Sequence, residues 1–122
     1  MQQDFLKILT DMVESVEGGS AATIMGMDGI SIQNYKAAEA AVDIESLAIE
    51  YGRVMLDVRR TTDILNLGAL EEVVITSNTN KVLLRFIGRD YFAAFVLTPD
   101  GNLGKARYFL RKASEAAGGE LK

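Results

Sequence analysis

The sequence contains no cysteine and no histidine. The absence of cysteine excludes disulfide bonds, thiol catalysis and thiolate metal sites. The absence of histidine removes the side chain that proteins use most often as a general base and as a metal ligand. Enzyme classes that depend on either residue are therefore excluded before any motif is considered.

Long apolar runs are also missing. No stretch approaches the ~18 apolar residues that a membrane-spanning helix needs, and Asp4 and Lys7 interrupt the apolar positions at the N-terminus, so no signal peptide is predicted. The 17 acidic and 13 basic residues give a formal net charge of −4, which provides no general attraction to nucleic acid or anionic lipid. We therefore expect a cytoplasmic protein with no nucleic-acid partner and no membrane insertion.

The composition is that of an ordered globular protein. The chain has 122 residues, of which 48% are hydrophobic and 25% charged. A chain of this length forms one domain and buries roughly two thirds of its unfolded surface. We predict a single domain over residues 1–122.

The segment 91–97 (YFAAFVL) is apolar throughout. Side chains on a strand point alternately to opposite faces, so Phe92, Ala94 and Val96 would lie on one face and the remaining residues on the other. A buried helix is the rival interpretation of a short apolar run. The aromatic and β-branched content, and the turn signal at 98–101 (TPDG), favour a strand that is covered on both faces.

The rest of the chain reads as alternating helices and strands. Residues 3–16 carry one apolar stripe and predict a helix that ends at Gly18-Gly19. Met27-Asp28-Gly29 predicts a hairpin turn. The predicted order is α-β-β-α-β-β-β-α: helix 3–16, strand 21–27, edge strand 30–33, a loop over 34–42 in which 37–41 could add a helical turn, helix 43–67 capped by Asp43, strands 73–76, 81–87 and 91–97, and a last helix from Asn102 to about Ala117, ended by Gly118-Gly119.

The long helix has apolar residues on more than one side. Its predicted sheet-facing side comprises Ile44, Leu47, Ala48, Tyr51, Met55, Val58 and Leu65. Ile49, Gly52 and Leu56 form a second stripe, which indicates a partner that Gly52 would allow to come close; the alternative is that a long helix carries a few stray exposed apolar residues. The outer strand 73–76 (VVIT) is a second candidate surface, because an exposed apolar edge invites another strand.

The order of elements and several segments resemble the roadblock family, which includes dynein roadblock light chains and bacterial MglB proteins. The matching features are FLKIL at 5–9, GGSAA at 18–22, MDG at 27–29, the long helix with Glu45 and Leu47, the strands at 73–76 and 81–87, and NLGKARYFLR at 102–111. The resemblance covers nearly the whole chain.

The resemblance implies an α+β fold of the profilin/longin-like type, a three-layer α/β/α sandwich around a five-stranded antiparallel sheet. The first and last helices would cover one face and the middle helix the other, with strand 20–27 beside strand 91–97. Family members dimerise through the long helix and the outer strand, which forms one continuous sheet across two protomers.

The function that the resemblance implies is non-catalytic and requires no cofactor. We expect a homodimeric adaptor that binds, and in a GAP-like way regulates, a Ras-like small GTPase of the MglA type. The alternatives are a pure scaffold that pairs with other roadblock or longin-type proteins, and a small-molecule sensor. The predicted dimer and partner interface comprises Ile49, Gly52, Arg53, Leu56, Arg59, Arg60, Asp63, Val73, Val74, Ile75 and Thr76.

Three other patterns have simpler interpretations. Gly18-Gly19-Ser20 follows a helix and precedes no lysine, so it indicates a helix end and not a phosphate loop. The loop carboxylates lack a pattern that would shift the pKa of either member of an acid–base pair. Arg53 or Arg60 could act as an arginine finger, but the family resemblance implies regulation by reshaping of the GTPase switch regions instead.

Overall fold

The computed structural model describes residues 2–121, with side chains from Asp4 to Leu121. The elements follow the predicted order: α1 (Gln2–Ser15), β1 (Gly19–Gly26), β2 (Ser31–Lys36), α2 (Ile44–Ile64), β3 (Glu72–Thr76), β4 (Lys81–Ile87), β5 (Tyr91–Leu97) and α3 (Leu103–Glu120).

The five strands form one antiparallel sheet in the order β2-β1-β5-β4-β3. The apolar strand β5 lies at its centre, where Ala94 faces Thr23 of β1 and Leu84 of β4. The predicted placement of β1 beside β5 is confirmed, and β2 and β3 are the two edges.

Helices cover both faces of the sheet. Ala93, Phe95 and Leu97 pack with α1 and α3 in one buried cluster, and Phe92 and Val96 pack with α2 in another. Burial of apolar surface on both sides of β5 is the main source of stability in this arrangement. The predicted three-layer sandwich is confirmed.

The turn after α1 ties the N-terminal part of the chain to the end of β5. Gly18 has a φ of 84°, a conformation that glycine adopts without the strain that other residues incur. The carbonyl of Gly18 accepts the Thr98 N–H at 2.8 Å, and the carbonyl of Glu17 accepts the Asn102 N–H at 3.1 Å. The predicted helix end in this region is confirmed.

Three element boundaries differ from the prediction. Residues 34–36 belong to β2, where their backbone groups pair with β1. Residues 37–40 form a turn and not a helix. Helix α2 ends at Ile64, so Leu65 is exposed and does not face the sheet. Helix α3 continues through Gly118-Gly119, and Gly118 packs within 3.5 Å (measured from an added Cβ) of Ile87.

The position of Gly52 also differs from the prediction. It is buried on the sheet-facing side of α2, where an added Cβ would lie 3.1 Å from Cζ of Phe92. The glycine therefore lets α2 approach the ring of Phe92 in its own chain. The expectation that it leaves room for the backbone of a second protein is wrong.

Replacement of Gly52 by valine should therefore destabilise the fold. The branched side chain overpacks the contact with Phe92, and we expect a loss of about 1–3 kcal/mol in the free energy of unfolding, measured by urea denaturation. Gly119→Ala is the matched control, since nothing lies within 4 Å of an added Cβ there. Equal midpoints for Gly52→Val and the wild type would contradict this packing.

Asp43 caps the N-terminus of α2, as predicted. Its Oδ1 accepts the backbone N–H of Ser46 at 3.2 Å, and its Oδ2 accepts the Ser46 hydroxyl at 2.8 Å. The hydroxyl bond, followed by the N–H bond, lowers the pKa of Asp43 from its ordinary value of 3.8. The charged form of this carboxylate is therefore favoured by folding.

This cap should add a pH dependence in the acid range. A carboxyl group whose pKa is lowered by folding contributes fully above its ordinary pKa, and the contribution is lost as the pH falls through the lowered value. Asp43→Asn retains a capping side chain, so its urea midpoint should be near the wild-type value at neutral pH and fall less between about pH 4 and pH 2. Parallel curves for the two proteins would show that Asp43 contributes nothing to this dependence.

Candidate interaction surface

The edge strand β3 presents unpaired backbone groups along its whole length. Its register with β4 is unbroken from Glu72 to Thr76. The carbonyl of Glu71 accepts the Phe86 N–H at 3.2 Å, so the backbone groups of Glu71 face β4. In an antiparallel ladder, the backbone groups of successive residues face the neighbouring strand alternately. The N–H and C=O groups of Glu72, Val74 and Thr76 therefore point away from β4. This edge can accept another strand.

The other edge strand, β2, is blocked. Ile24 faces Gln33 and Met25 faces Ser31, so Ile32 forms a bulge. The Asn34 N–H, which by the same alternation points away from β1, is accepted by the Gln33 side chain at 3.0 Å. A bulge and an occupied donor are both features that hinder addition of a strand.

The side chains of β3 divide between the two faces of the sheet. Val73 and Ile75 are half-buried and pack on the α2 side. Val74 and Thr76 are exposed on the opposite side, where α3 lies. The four residues predicted for the interface therefore form one accessible strip at the sheet edge.

The predicted stripe on α2 is only partly accessible. Leu56 is 39% exposed. Ile49 is half-buried beside Met27, Asp28 and Gly29 of the β1–β2 turn. This flank of the helix thus faces the β1–β2 turn and not β3.

The arginines of the predicted interface all have partners within the chain. Arg53 pairs with Glu50 and Arg60 with Asp57, each at 3.2 Å and on the exposed side of the helix. The guanidinium of Arg59 lies 4.7 Å from the centre of the Phe86 ring and donates to the carbonyl of Arg89 at 3.1 Å. Asp63 is exposed near Arg59. Arg59 is thus held against another part of the sheet, whereas Arg53 and Arg60 are 71% exposed and are paired only within α2.

The opposite flank of α2 carries an apolar strip that the sequence analysis did not identify. Val54, Val58, Thr61 and Leu65 recur at intervals of three and four residues, about 100° per residue around the helix. Val54 is 44% exposed, and Leu67, just beyond the helix, is 72% exposed. A groove of about 320 Å³ follows this flank, lined by Asp57, Val58, Thr61, Thr62, Leu65 and Leu67.

This apolar flank lies on the opposite side of α2 from Ile49. The Ile49 flank lies against the β1–β2 turn, and Arg59 and Asp63, further along that flank, lie beside Phe86 and the β4–β5 turn. The groove on the Val54 flank is lined only by residues of α2 and by Leu65 and Leu67 just after it. The spacing of Val54, Val58 and Leu65 was a signal in the sequence, but assigning Val58 and Leu65 to the sheet concealed it.

No group of three acidic side chains among residues 2–121 could hold a metal ion. The pKa values of Glu17 and Asp100 are lowered by hydrogen bonds from Lys105 and Thr98, and that of Tyr35 is raised by its bond to Glu14. These shifts arise at scattered exposed positions and do not define an acid–base pair. No helix in the described residues is long and apolar enough to cross a membrane.

No family model matches the sequence, and no curated protein matches it. Solved structures do match. MglC from Myxococcus xanthus is 34% identical, with 99% of this chain and 100% of that chain covered, at a TM-score of 0.71. An MglB with a tetrameric arrangement is 16% identical over 95% of this chain and 86% of that chain (TM-score 0.87). A Roadblock/LC7 domain from Streptomyces avermitilis is 12% identical over 94% and 95% (TM-score 0.84).

The identity with MglC extends over the full length of both chains, and the MglB and Roadblock/LC7 structures share the fold. The fold is that of a small non-enzymatic adaptor. By its sheet order, its layers and this full-length similarity, the chain belongs to the roadblock family.

Proposed function

We propose that the protein is a homodimeric, non-catalytic adaptor that pairs through β3 and α2 and binds a Ras-like small GTPase of the MglA type. The observation that carries the homodimer is the contrast between the two sheet edges: β3 is regular and open, and β2 is bulged and capped.

Pairing of β3 with its copy satisfies the outward backbone groups. Two antiparallel β3 strands related by a two-fold axis contribute the same residues to the contact, which is the geometry of an isologous interface. With Val74 near the centre, the outward N–H and C=O groups of Glu72, Val74 and Thr76 would form the new ladder. The two sheets would then become one sheet of ten strands.

The exposed side of α2 supports the same assembly. Val54 and Leu65 are apolar and exposed, and two copies of this flank that met in the dimer would bury apolar surface. Glu50 with Arg53 and Asp57 with Arg60 balance the charge of the outward side. Two copies of the helix can therefore approach without strong repulsion between like charges.

The GTPase partner is supported by the roadblock resemblance, and the geometry suggests how binding would act. Arg59 is held by the ring of Phe86 and the carbonyl of Arg89, which does not favour its insertion into a nucleotide site. Arg53 and Arg60 have only exposed ion pairs within α2, which contribute little free energy. Following the roadblock resemblance, regulation would act through the surface that the dimer presents to the GTPase.

A second candidate is a scaffold that pairs with another roadblock-type subunit. This candidate is favoured because the chain is 34% identical in sequence to MglC but only 16% identical to an MglB. Partner preferences of an MglB are therefore a weak guide to this chain. An open β3 edge can also pair with any chain that presents a similar edge.

Val74→Pro should weaken the homodimer selectively. Proline removes an N–H that points away from β4, so the internal ladder keeps its bonds while the new one loses them in both protomers. We expect the dissociation constant of the dimer, measured by sedimentation, to rise at least about tenfold. The circular dichroism spectrum should remain that of the wild type.

Lys36→Pro is the matched control, because the Lys36 N–H points away from β1 at the blocked edge. It should leave the dimer unchanged. Two flank variants locate the helix contact: Val54→Glu should weaken the dimer more than Leu56→Glu. A wild-type protein that sediments as a monomer at high concentration, or a Val74→Pro variant that dimerises normally, would contradict the proposed interface.

The GTPase proposal is tested by co-elution. An MglA-type GTPase from the same genome, loaded with a non-hydrolysable GTP analogue, should elute with the wild-type protein in size-exclusion chromatography. The GDP-loaded form is run in parallel to define nucleotide preference. If the GTPase binds in neither state while another roadblock protein co-elutes, the scaffold function replaces GTPase binding.

A further inference from the structure

A groove of about 350 Å³ lies on the α3 side of the sheet, between α3 and the edge formed by β3 and β4. It is lined by Glu71, Glu72, Arg85, Arg107, Tyr108 and Arg111. Glu72 and Arg85 face each other across the β3–β4 ladder, and Arg107 and Arg111 are one helical turn apart on α3. The fold thus brings three arginines from two elements to one place.

One carboxylate holds two of these arginines in position. Glu72 accepts from Nη1 of Arg85 at 3.3 Å and from Nε of Arg107 at 2.6 Å, and its side chain is only 12% exposed. Each guanidinium has five N–H donors in a fixed planar arrangement. The donors that Glu72 does not use remain available to a ligand, in side chains that are already ordered.

The third arginine has no acidic partner. The guanidinium of Arg111 lies 5.7 Å from the centre of the Tyr108 ring, and no carboxylate within residues 2–121 pairs with it. Tyr108 itself is half exposed and forms an apolar wall. Three arginines against Glu71 and Glu72 leave a positive surplus here, in a protein whose net charge is −4.

We propose that this groove binds an acidic segment of a partner protein. Carboxylates of the segment would pair with the free donors of Arg111 and Arg107, and apolar side chains would pack on Tyr108. Charge complementarity favours a peptide over a compact polyphosphate, because Glu71 and Glu72 repel a concentrated negative charge. Carboxylates spaced along a peptide can contact the arginines and avoid both glutamates.

The proposal deepens the adaptor function by naming the chemistry of a partner, and to that extent rests on it. The groove is built within one protomer and does not include the outward backbone groups of β3. Peptide binding and dimerisation can therefore be measured separately on the same samples.

The test uses the full-length protein and a fluorescein-labelled peptide of alternating glutamate and serine, followed by fluorescence anisotropy. Binding should be detectable at low ionic strength and weaken as salt is added. A peptide with glutamine in place of glutamate should not bind. Arg111→Glu should weaken binding at least about tenfold, and Arg111→Lys less, since lysine keeps the charge but loses the planar pair of donors.

Arg89→Glu, in the exposed β4–β5 turn, is the control with the same change in net charge. It should bind the peptide as the wild type does. The proposal is overturned if the glutamate peptide does not bind at low ionic strength, or if Arg89→Glu weakens binding as much as Arg111→Glu. It is also overturned if pyrophosphate displaces the bound glutamate peptide under conditions in which the glutamine peptide, in sodium chloride of equal ionic strength, does not displace it.

Sedimentation of the same samples separates this inference from the proposed function. A protein that is dimeric but binds no acidic peptide contradicts the groove alone. If the wild-type protein is a monomer that binds the peptide, and the Arg111→Glu variant does not bind it, the result contradicts the homodimer alone.

Discussion

The central strand Tyr91–Leu97 must be covered on both of its faces, and the remaining elements are arranged around that requirement. Phe92 on one side and Phe95 on the other need separate apolar partners. Helices α1 and α3 cover the Phe95 side, and α2 covers the Phe92 side. The close approach of α2 depends on Gly52, which leaves space for the ring of Phe92.

This arrangement leaves the two edges of the sheet in different states. Strand β2 carries a bulge and a backbone donor that its own Gln33 occupies, whereas β3 is regular and its outward groups have no partner in the described chain. Helix α2 approaches β1 and β2 most closely, and its Val54 flank is exposed. The edge at β3 and this apolar flank both remain uncovered within the described residues.

Most of the architecture could be predicted from the sequence because it follows from local patterns. The composition of the run 91–97 and the turn signal after it favour a strand over a buried helix, and the Asp28-Gly29 turn and the Asp43 cap are also local signals. The family resemblance implies the placement of β1 beside β5. Residues 34–36 carry no strong strand signal in the sequence, yet they pair with β1, because an edge strand requires only backbone pairing. Gly118-Gly119 predicts a helix end, but α3 continues through both glycines to Glu120.

The surface was harder to predict, because periodicity shows how residues are distributed around a helix but not which side meets which strand. At 100° per residue, Ile49, Gly52 and Leu56 do lie near one another around the axis of α2. In the structure, Gly52 is nevertheless buried against Phe92, and Ile49 lies beside the β1–β2 turn. The groove around Arg111 depends on Glu72 and Arg85 meeting across two strands, which no local pattern reveals.

The bulge at Ile32 also has a consequence for the size of any assembly. A chain whose sheet can be extended at both margins is able to recruit neighbours without end, as in fibrils. Here the bulge and the occupied Asn34 N–H hinder extension at the β2 margin, so two chains joined at β3 would leave no regular edge for a further strand. In the proposed dimer, the irregular β2 margin would therefore limit association through the sheet to two chains.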